Sequence, residues 1–350
     1  MKYSSGILSG LLKPKYAIIK NLLGDDYDSS HGVDIFIDLN TFVSAMCSSM
    51  KYLSSLALLS NETDGEADIV SSLIHIILHW KNFSRRWDDT RIFLLMNDID
   101  STSCYEQQYL KSYLSAYRYK MSNSNKATLR YYLSEAVKLT QKVLQFVPNS
   151  YLITTDKCDA LVIPKLIDDY ENNDRHRIIV SGNNMYTGYM FEKNTKLIFS
   201  KCRHNGISQV YDPLMVAQSI SKIDDDIINV FLTNKVYYNI LNIIIGDPDR
   251  AILGTTNLGT TRIATTLLRN LDKNIIPKNP KTIDTVIDSI DEQLRQYVLQ
   301  SYPLVDIKLH SDMIPMSYIE KIKSEQMIDK IDIDGLSSFN IDGVNLIELV

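Results

Sequence analysis

The chain has 350 residues, a net charge of -5 and 45% hydrophobic residues, which is ordinary for a folded protein and excludes a largely disordered chain. Its acidity excludes a wholly basic, histone-like nucleic-acid binder, although a local basic patch remains compatible with it. The four cysteines form no CxxC pair, which disfavours a disulfide framework or a zinc site and favours a reducing compartment. No apolar stretch is long enough to span a bilayer and no signal-peptide pattern is present, so we expect a cytoplasmic protein without membrane contact.

The first 210 residues predict strands that alternate with helices. Compact apolar runs predict buried strands at 33–39, 91–96, 151–153, 177–181 and 196–200. Helical spacing of apolar residues predicts helices at 16–23, 41–59, 69–80, across much of 105–147, and at 160–170. This alternation predicts an α/β fold with a parallel sheet flanked by helices, in which ligands collect at the carboxyl ends of the strands.

The second part of the chain predicts helices only, at 214–221, 227–245, 263–271, 283–302 and 318–327. A glycine-rich turn joins the second of these helices to the third, from Gly246 and Asp247 to Gly254 and Gly259. Such a turn presents backbone N–H groups at a helix N-terminus, which can bind phosphate, although an ordinary glycine-capped hairpin explains the pattern equally well. The tail at 331–350 predicts an edge strand or, alternatively, a docking peptide for another protein.

Five aspartates stand at functionally suggestive places along this order of elements. Asp38 ends the first strand, Asp98 follows the second, Asp156 and Asp159 follow the third, and Asp247 lies in the glycine-rich turn. Any one of them alone is most often a helix cap or a turn residue. Their serial order at strand ends, taken together, favours a functional site, where carboxylate oxygens would suit a hard divalent cation.

A basic, tyrosine-rich segment contains no acidic residue between Gln107 and Glu135. Cations neutralise backbone phosphates and aromatic rings stack on unpaired bases, so this composition favours contact with single-stranded nucleic acid. A solvated helical face with packed tyrosines is the alternative. The candidate DNA-binding cations are Lys111, Arg118, Lys120, Lys126 and Arg130.

The glycine-rich turn resembles the helix-hairpin (H3TH) motif of the 5'-nuclease superfamily, which includes flap endonucleases and the exonuclease domains of bacterial DNA polymerase I. Gly246, Asp247, Ile252, Gly254 and Gly259 fall in register with that motif. Leu258 stands where isoleucine is usual, and Arg250 replaces the motif's second aspartate. The resemblance implies that this hairpin grips duplex phosphates through Gly254, Gly259, Thr260, Thr261 and Arg262.

The strand ends resemble the acidic motifs of the same superfamily in the same order. Residues 35–40 resemble the first motif, which ends in Asp38, and residues 93–98 resemble the second, with Asp98 one position late. Residues 155–160 resemble the Glu-Ala-Asp-Asp motif, with Asp156 and Asp159 retained.

The same acidic motifs also depart from the superfamily pattern. In residues 155–160, Cys158 replaces the middle aspartate of the Glu-Ala-Asp-Asp motif. Residues 180–185 resemble Ser-Gly-Asp-x-Asp, but Asn183 and Met185 stand where the two aspartates are expected.

These matches and departures imply a first metal site built by Asp38, Asp98, Asp156 and Asp159, with Asp247 remaining from a second. The second site loses acids to Asn183, Met185 and Arg250, and a thioether or an arginine does not ligate a hard cation. Asp249 lies beside Arg250 and can replace the missing aspartate only if the turn shifts by one residue. We therefore expect Mg²⁺ or Mn²⁺, and one ion rather than two. In the basic segment only Tyr117-Arg118 matches the superfamily's helical-arch signature, with Met121 at its arginine position.

The resemblance thus implies a PIN-like α/β domain followed by a helical, H3TH-type DNA-binding region. We divide the chain into an N-terminal extension (1–32), the 5'-nuclease-like domain (33–210) with an arch-like segment (100–147), the hairpin region (211–305) and a C-terminal extension (306–350). The expected partner is DNA with a single-strand/duplex junction, in replication or repair. The composition, rich in Tyr, Asn, Ile, Lys and Asp, fits AT-rich coding sequence and a phage or other viral source, hence the host cytoplasm.

Three functions remain open on the sequence alone. The first is a divalent-metal-dependent 5'-3' exonuclease or flap endonuclease, and the second is a catalytically inactive relative that serves as a DNA-binding or scaffold subunit. An RNA-cleaving PIN nuclease is the third, disfavoured because PIN domains are short and lack the hairpin.

Overall fold

A computed structural model of the chain describes residues 23, 28–39, 87, 89–97, 104–108, 141, 144, 147–181, 183–199, 209–210, 233–245, 267, 269–271, 273–290 and 292–327. Within these residues, six strands form one sheet in the order β3-β2-β1-β4-β5-β6. The first five strands are parallel, and β6 pairs antiparallel with β5. The strands are β1 (Val33–Asp38), β2 (Thr90–Asn97), β3 (Ser150–Thr155), β4 (His176–Ser181), β5 (Thr195–Phe199) and β6 (Gln209–Val210).

The strands follow from their apolar runs, because a parallel sheet that is covered on both faces buries every side chain of its central strands. All six residues of β1 and all six of β4 are buried. On one face the rings of Phe36 and Phe93 stack with centroids 4.7 Å apart, and Phe93 stacks on Tyr151 at 5.4 Å. The predicted strands are therefore confirmed, and β3 is longer than the sequence indicated.

Four of the strands begin directly after a residue with positive φ, a conformation that favours Gly, Asn and Asp. These residues are Gly32 (68°), Asp89 (45°), Asn149 (54°) and Asn194 (55°). The carbonyl of each accepts a hydrogen bond of 2.8–3.1 Å from an N–H at the start of a neighbouring strand. Each turn therefore satisfies the first backbone groups of the ladder and fixes where the strands start.

The described helices lie mostly after the sheet strands in the chain. They are α1 (Ile163–Glu171), α2 (Lys235–Ile245), α3 (Asp284–Ile287), α4 (Glu292–Val305), α5 (Ile307–Asp312) and α6 (Met316–Gln326). Shorter 3-10 helices are Ser29–His31, Tyr105–Gln108, Ala160–Val162 and Asn184–Phe191. None of the helices in the part of the chain that is described is long and apolar enough to cross a membrane.

The helical region after the sheet differs from the sequence prediction in the division of one helix and in the presence of another. The helix expected at 283–302 is divided into α3 and α4, and at the break the Ser289 hydroxyl donates to the Val286 carbonyl at 2.6 Å, a bond that competes with helix continuation. The helix α5 was not predicted. It begins because the Asp306 carboxylate accepts hydrogen bonds from the N–H groups of Lys308 and Leu309, at 3.1 and 3.2 Å.

The helices α1–α6 share one hydrophobic core with the sheet face that carries Phe36, Phe93 and Tyr151. Helix α1 contributes the buried residues Ile163, Leu166 and Ile167 to this core. Helix α5 packs against α1, and α6 packs against α1 and β3. Helix α6 therefore rests on the sheet at β3, whereas α5 rests on α1 and on the 3-10 helix Ala160–Val162.

Charged side chains form a paired network at the amino ends of the strands. The carboxylate of Asp34 accepts two hydrogen bonds from Arg91, at 2.6 and 2.8 Å, and one from Arg175 at 2.8 Å. Arg91 also donates to Glu171 at 2.7 and 3.1 Å, and the amine of Lys323 contacts Glu171 at 2.6 Å. Burial opposes ionisation of Glu171, but Arg91 and Lys323 outweigh it and lower its pKa to about 2.

Several predicted elements fall outside the described residues. They are the helices at 41–59, 69–80 and 214–221, almost all of the helix at 16–23, most of the segment 105–147, and the tail at 331–350. The hairpin at 246–262 also lies outside them, between α2 and the described residues of the helix predicted at 263–271.

Candidate functional site

The carboxyl ends of four adjacent parallel strands meet at one edge of the sheet. Asp38, Asn97, Thr155 and Ser181 are the last residues of β1, β2, β3 and β4. Because neighbouring strands lie about 4.8 Å apart, β1 and β3 are separated by about 10 Å with β2 between them. Asp38 and the acids that follow β3 therefore lie on either side of the end of β2, after which Asp98 comes next in the sequence.

Asp38 is buried, with 6% of its surface exposed. Its Oδ2 accepts a hydrogen bond from the Ser181 hydroxyl at 2.7 Å, which ties the end of β1 to the end of β4. The Ser181 oxygen in turn accepts the backbone N–H of Asn183 at 2.9 Å. The serine thus orients the Asp38 carboxylate and also shapes the turn that follows β4.

Asp156 follows β3 and has an exposed side chain. The hydroxyl of Tyr318, on α6, accepts the backbone N–H of Asp156 at 3.2 Å and donates to Oδ1 of the same residue at 2.9 Å. Burial, and next the nearby Cys158 and Asp156, raise the pKa of the Tyr318 hydroxyl. The hydroxyl therefore stays protonated at neutral pH and can donate this bond.

Asp159 lies at the start of a 3-10 helix and caps it, because its Oδ1 accepts the N–H of Leu161 at 2.9 Å. Asn97, at the end of β2, fastens the same turn: its Oδ1 accepts the N–H of Ala160 at 2.5 Å and the Thr155 hydroxyl at 3.2 Å. The amide nitrogen of Asn97 lies 3.5 Å from Asp159 Oδ1. The loop 156–159 is therefore anchored to the neighbouring strand.

A buried carboxylate that the sequence did not single out lies beneath this loop. Glu106 is 2% exposed, and its Oε1 accepts the N–H of Asp159 at 3.0 Å and contacts Nε2 of His310 at 2.9 Å. The thiol of Cys104 donates to the other oxygen at 2.6 Å. Burial opposes the charged form of Glu106, but hydrogen bonds from His310, Cys104 and Asp159 hold its pKa below the ordinary value. Glu106 is thus an ionised group that links the loop to α5.

The two residues that replace expected acids after β4 have structural partners. Asn183 caps the 3-10 helix Asn184–Phe191, since its Oδ1 accepts the N–H of Met185 at 3.0 Å. Met185 is 8% exposed and belongs to the hydrophobic core. One side chain therefore closes a turn and the other fills the core.

The described acids at the carboxyl edge supply oxygen donors, which suit a hard divalent cation such as Mg²⁺ or Mn²⁺. Within the part of the chain that is described, no group of three or more His, Cys, Asp or Glu residues lies close enough together to hold a metal ion. Asp98 and Asp247 lie outside the described residues. The five-acid site thus stays a prediction, for which the fold supplies Asp38, Asp156 and Asp159 at one edge.

The predicted DNA-binding residues also lie outside the described part of the chain, so their role stays a prediction. They are Lys111, Arg118, Lys120, Lys126, Arg130, Gly254, Gly259, Thr260, Thr261 and Arg262.

Solved structures of a bacteriophage T5 nuclease are similar to this chain over most of their length. The T5 5'-exonuclease with divalent zinc ions bound aligns with a TM-score of 0.52 and 14% identity, covering 84% of this chain and 97% of the T5 chain. The T5 flap endonuclease, as a pseudo-enzyme–product complex with DNA and metal ions, aligns with a TM-score of 0.51 and 13% identity, covering 83% and 96%. No protein-family model matches this chain, and a search of curated proteins finds no relative.

The fold is therefore the PIN-like, 5'-nuclease-like α/β fold that the motifs predicted, with a parallel sheet flanked by helices and further helices after it. At 13–14% identity the likeness establishes the fold alone.

Proposed function

We propose that this protein is a structure-specific 5'-nuclease-like DNA-binding protein of the flap endonuclease or 5'-3' exonuclease type, acting in replication or repair. The observation that carries the proposal is the placement of Asp38, Asp156 and Asp159 at the carboxyl edge of a 5'-nuclease-like sheet, where ligands of open parallel sheets bind. The similar T5 structures contain metal ions, and one also contains DNA, which supports the same chemistry here.

Asp38, Asp98, Asp156 and Asp159 are the residues that we assign to a divalent cation, Mg²⁺ or Mn²⁺, with Asp247 contributing from the hairpin. Bound there, the cation would supply Lewis acidity toward a phosphodiester and its attacking water. The chain's own residues orient the ligands: Ser181 holds Asp38, Tyr318 holds Asp156, and the cap at the Ala160–Val162 helix holds Asp159. We propose one bound ion rather than two.

The DNA is assigned to two segments. The hairpin, through Gly254, Gly259 and 260–262, grips duplex phosphates, and the basic segment 107–135 contacts the single strand. This arrangement fits a duplex with a flap, a nick or a free 5' end. We retain the domain division proposed from the sequence. It has a nuclease-like domain at 33–210, a hairpin region at 211–305, and extensions at 1–32 and 306–350. The tail at 331–350 is the proposed site for a protein partner, and a cytoplasmic location fits this role.

A second candidate function is a pseudonuclease that binds DNA as a subunit of a larger complex without cleaving it. The contacts of Asn183 and Met185 favour it, because these residues stand where the superfamily has acids and are used as a cap and as core. A nuclease that lacks these acids has a weakened second metal site, which slows two-metal cleavage.

Cleavage of a labelled 5'-flap duplex in Mg²⁺ or Mn²⁺ tests the proposal, with Asp38→Ala as the comparison and DNA binding measured in Ca²⁺. We expect metal-dependent cleavage that Asp38→Ala abolishes while binding in Ca²⁺ persists. Structure-dependent binding without cleavage would make the protein a pseudonuclease. A wild-type protein that neither binds nor cleaves the flap duplex would overturn both candidate functions.

A further inference from the structure

Helices α5 and α6 hold the acidic loop 156–159 from two sides. We propose that these C-terminal helices are part of the metal centre's support, in which Tyr318 and the Glu106–His310 pair are positioning residues for Asp156 and Asp159. This inference rests on the proposed function, because it concerns how the same carboxylates are held ready for a divalent cation. On this inference, the segment 306–327 contributes residues that position the metal ligands.

Helix α6 is fastened to β3 at two points that flank the strand's end. The Gln326 side chain accepts the N–H of Thr154 at 2.7 Å and donates to the carbonyl of the same residue at 3.1 Å. Since β3 is the first strand of the described sheet, this amide occupies backbone groups as a further strand would. Two residues later, the Tyr318 hydroxyl takes up the Asp156 N–H. Side chains of α6 therefore bond the backbone from the end of β3 to the start of the acidic loop.

Besides accepting the backbone N–H of Asp156, the Tyr318 hydroxyl donates a hydrogen bond to the Asp156 carboxylate at 2.9 Å. One oxygen atom thereby joins the main chain and the side chain of Asp156 and restricts the rotation of the carboxylate. Tyr318 is itself fixed: it is 4% exposed and packs edge-on to Tyr105, with ring centroids 5.6 Å apart. An exposed carboxylate held in this way loses less freedom when it binds a cation.

Helix α5 acts on the other end of the loop through one intermediate. His310 is 2% exposed and contacts Glu106, and the same Glu106 oxygen accepts the N–H of Asp159. Because these bonds lie in a low-dielectric interior, they are stronger than they would be at the surface, and a missing member leaves a buried polar group unsatisfied. The Glu106–His310 pair therefore fixes the position of the Asp159 backbone.

Binding of Mn²⁺ to the intact protein, measured by electron paramagnetic resonance, tests this proposal with Tyr318→Phe. This substitution removes only the hydroxyl, and Tyr302→Phe is the matched control. Tyr302 is a buried tyrosine of α4 whose hydroxyl faces Asn239 at 3.5 Å, in the same helical region. We expect Mn²⁺ affinity to fall roughly tenfold in Tyr318→Phe, in the range seen when outer partners of metal ligands are lost, and to be unchanged in Tyr302→Phe.

Hydrogen exchange of the metal-free protein supplies a readout that does not depend on metal. In Tyr318→Phe the amide of Asp156 should exchange faster, and in His310→Gln the amide of Asp159 should do so. These amides should exchange at the wild-type rate in Tyr302→Phe. Unchanged exchange at both amides would show that the helices do not hold the loop and would overturn the proposal.

The outcomes separate this inference from the proposed function. Equal Mn²⁺ affinity in Tyr318→Phe and Tyr302→Phe, whether both match the wild type or both are weakened, would overturn the positioning role and leave the proposed function standing. The variant Asp156→Asn is the reference for a lost metal ligand. If the wild-type protein binds no more Mn²⁺ than this variant, both this inference and the proposed function are overturned.

Discussion

One strand of the sheet carries a buried aspartate at each end, and the two ends of the strand use the carboxylate differently. Asp34 and Asp38 belong to β1, lie on the same face, and are 3% and 6% exposed. Asp34, at the amino end, is bonded by Arg91 and Arg175. Asp38, at the carboxyl end, accepts a hydrogen bond from the hydroxyl of Ser181.

The same contrast extends to the residues around each aspartate. At the amino end, Glu171 is also bonded by two cations, Arg91 and Lys323. At the carboxyl end, Asp156 accepts from a tyrosine hydroxyl and Asp159 from a backbone N–H. A neutral donor fixes an oxygen without cancelling its charge, whereas an arginine neutralises it. On the proposed function, the amino end of the sheet uses its acids for stability, and the carboxyl end presents acids to a cation.

The largest effect on stability is expected for Asp34→Asn. The substitution leaves Arg91 and Arg175 beside a neutral amide in a buried place, and breaking such a pair costs about 3–5 kcal/mol. Urea denaturation should show this loss in the free energy of unfolding. Asp174→Asn is the control, because Asp174 forms an exposed pair with Lys193 at 3.7 Å, and its loss should cost less than about 1 kcal/mol. Equal costs for the two variants would refute the stabilising role of the amino end.

The second effect is an acid-dependent loss of stability through Glu171, whose pKa is lowered to about 2 in the folded protein from 4.5. A lowered pKa stabilises the fold fully above pH 4.5, and this stabilisation disappears as the pH falls toward 2. The shift corresponds to about 3 kcal/mol, for a side chain that is 11% exposed.

The variant Glu171→Gln isolates that contribution. The difference in free energy of unfolding between wild type and variant should be about 3 kcal/mol at pH 7, fall below about 1 kcal/mol near pH 2, and vanish at lower pH. Urea denaturation at a series of pH values measures it. A difference that stays constant across this range would show that the Glu171 carboxylate is not held by its cations.

The smallest effect concerns the carboxyl end. Ser181→Ala removes one bond to Asp38 and one from Asn183, neither of which involves a cation, and should cost about 1–2 kcal/mol of stability. Ser324→Ala, which removes an exposed hydroxyl bonded to its own helix, should be nearly neutral. Thermal unfolding of both variants measures the difference. A loss in Ser181→Ala as large as in Asp34→Asn would remove the contrast between the two ends.

The sequence predicted the sheet well because buried parallel strands are continuous apolar runs, and each run ends where polar residues begin. That pattern located the five parallel strands of the described sheet, with Asp38 at the end of one and Asp156 just after another. The positive-φ residues before the strands are Gly, Asn and Asp, which also mark strand starts in a sequence. The resemblance to the 5'-nuclease motifs then gave the fold.

The support of the site could not be predicted, because its members are far apart in the chain. Tyr318 lies 162 residues from Asp156, and His310 lies 204 residues from Glu106. Neither residue carries a local pattern, since a tyrosine or histidine in an amphipathic helix is most often part of the core. Only the docking of α6 on β3 and of α5 on α1 brings these side chains to the loop.

The most direct measurement compares Mn²⁺ binding by Asp38→Asn and Asp34→Asn, two identical changes four residues apart on one strand face. Asp38→Asn should bind Mn²⁺ at least about 10-fold more weakly than the wild type, because a lost ligand costs no less than a lost outer partner. It should lose little stability, since the amide oxygen can still accept from Ser181. Asp34→Asn should lose stability but bind Mn²⁺ normally while it is folded. Equal Mn²⁺ affinity for the two variants, or a weaker one for Asp34→Asn, would contradict the assignment of the carboxyl end to the cation.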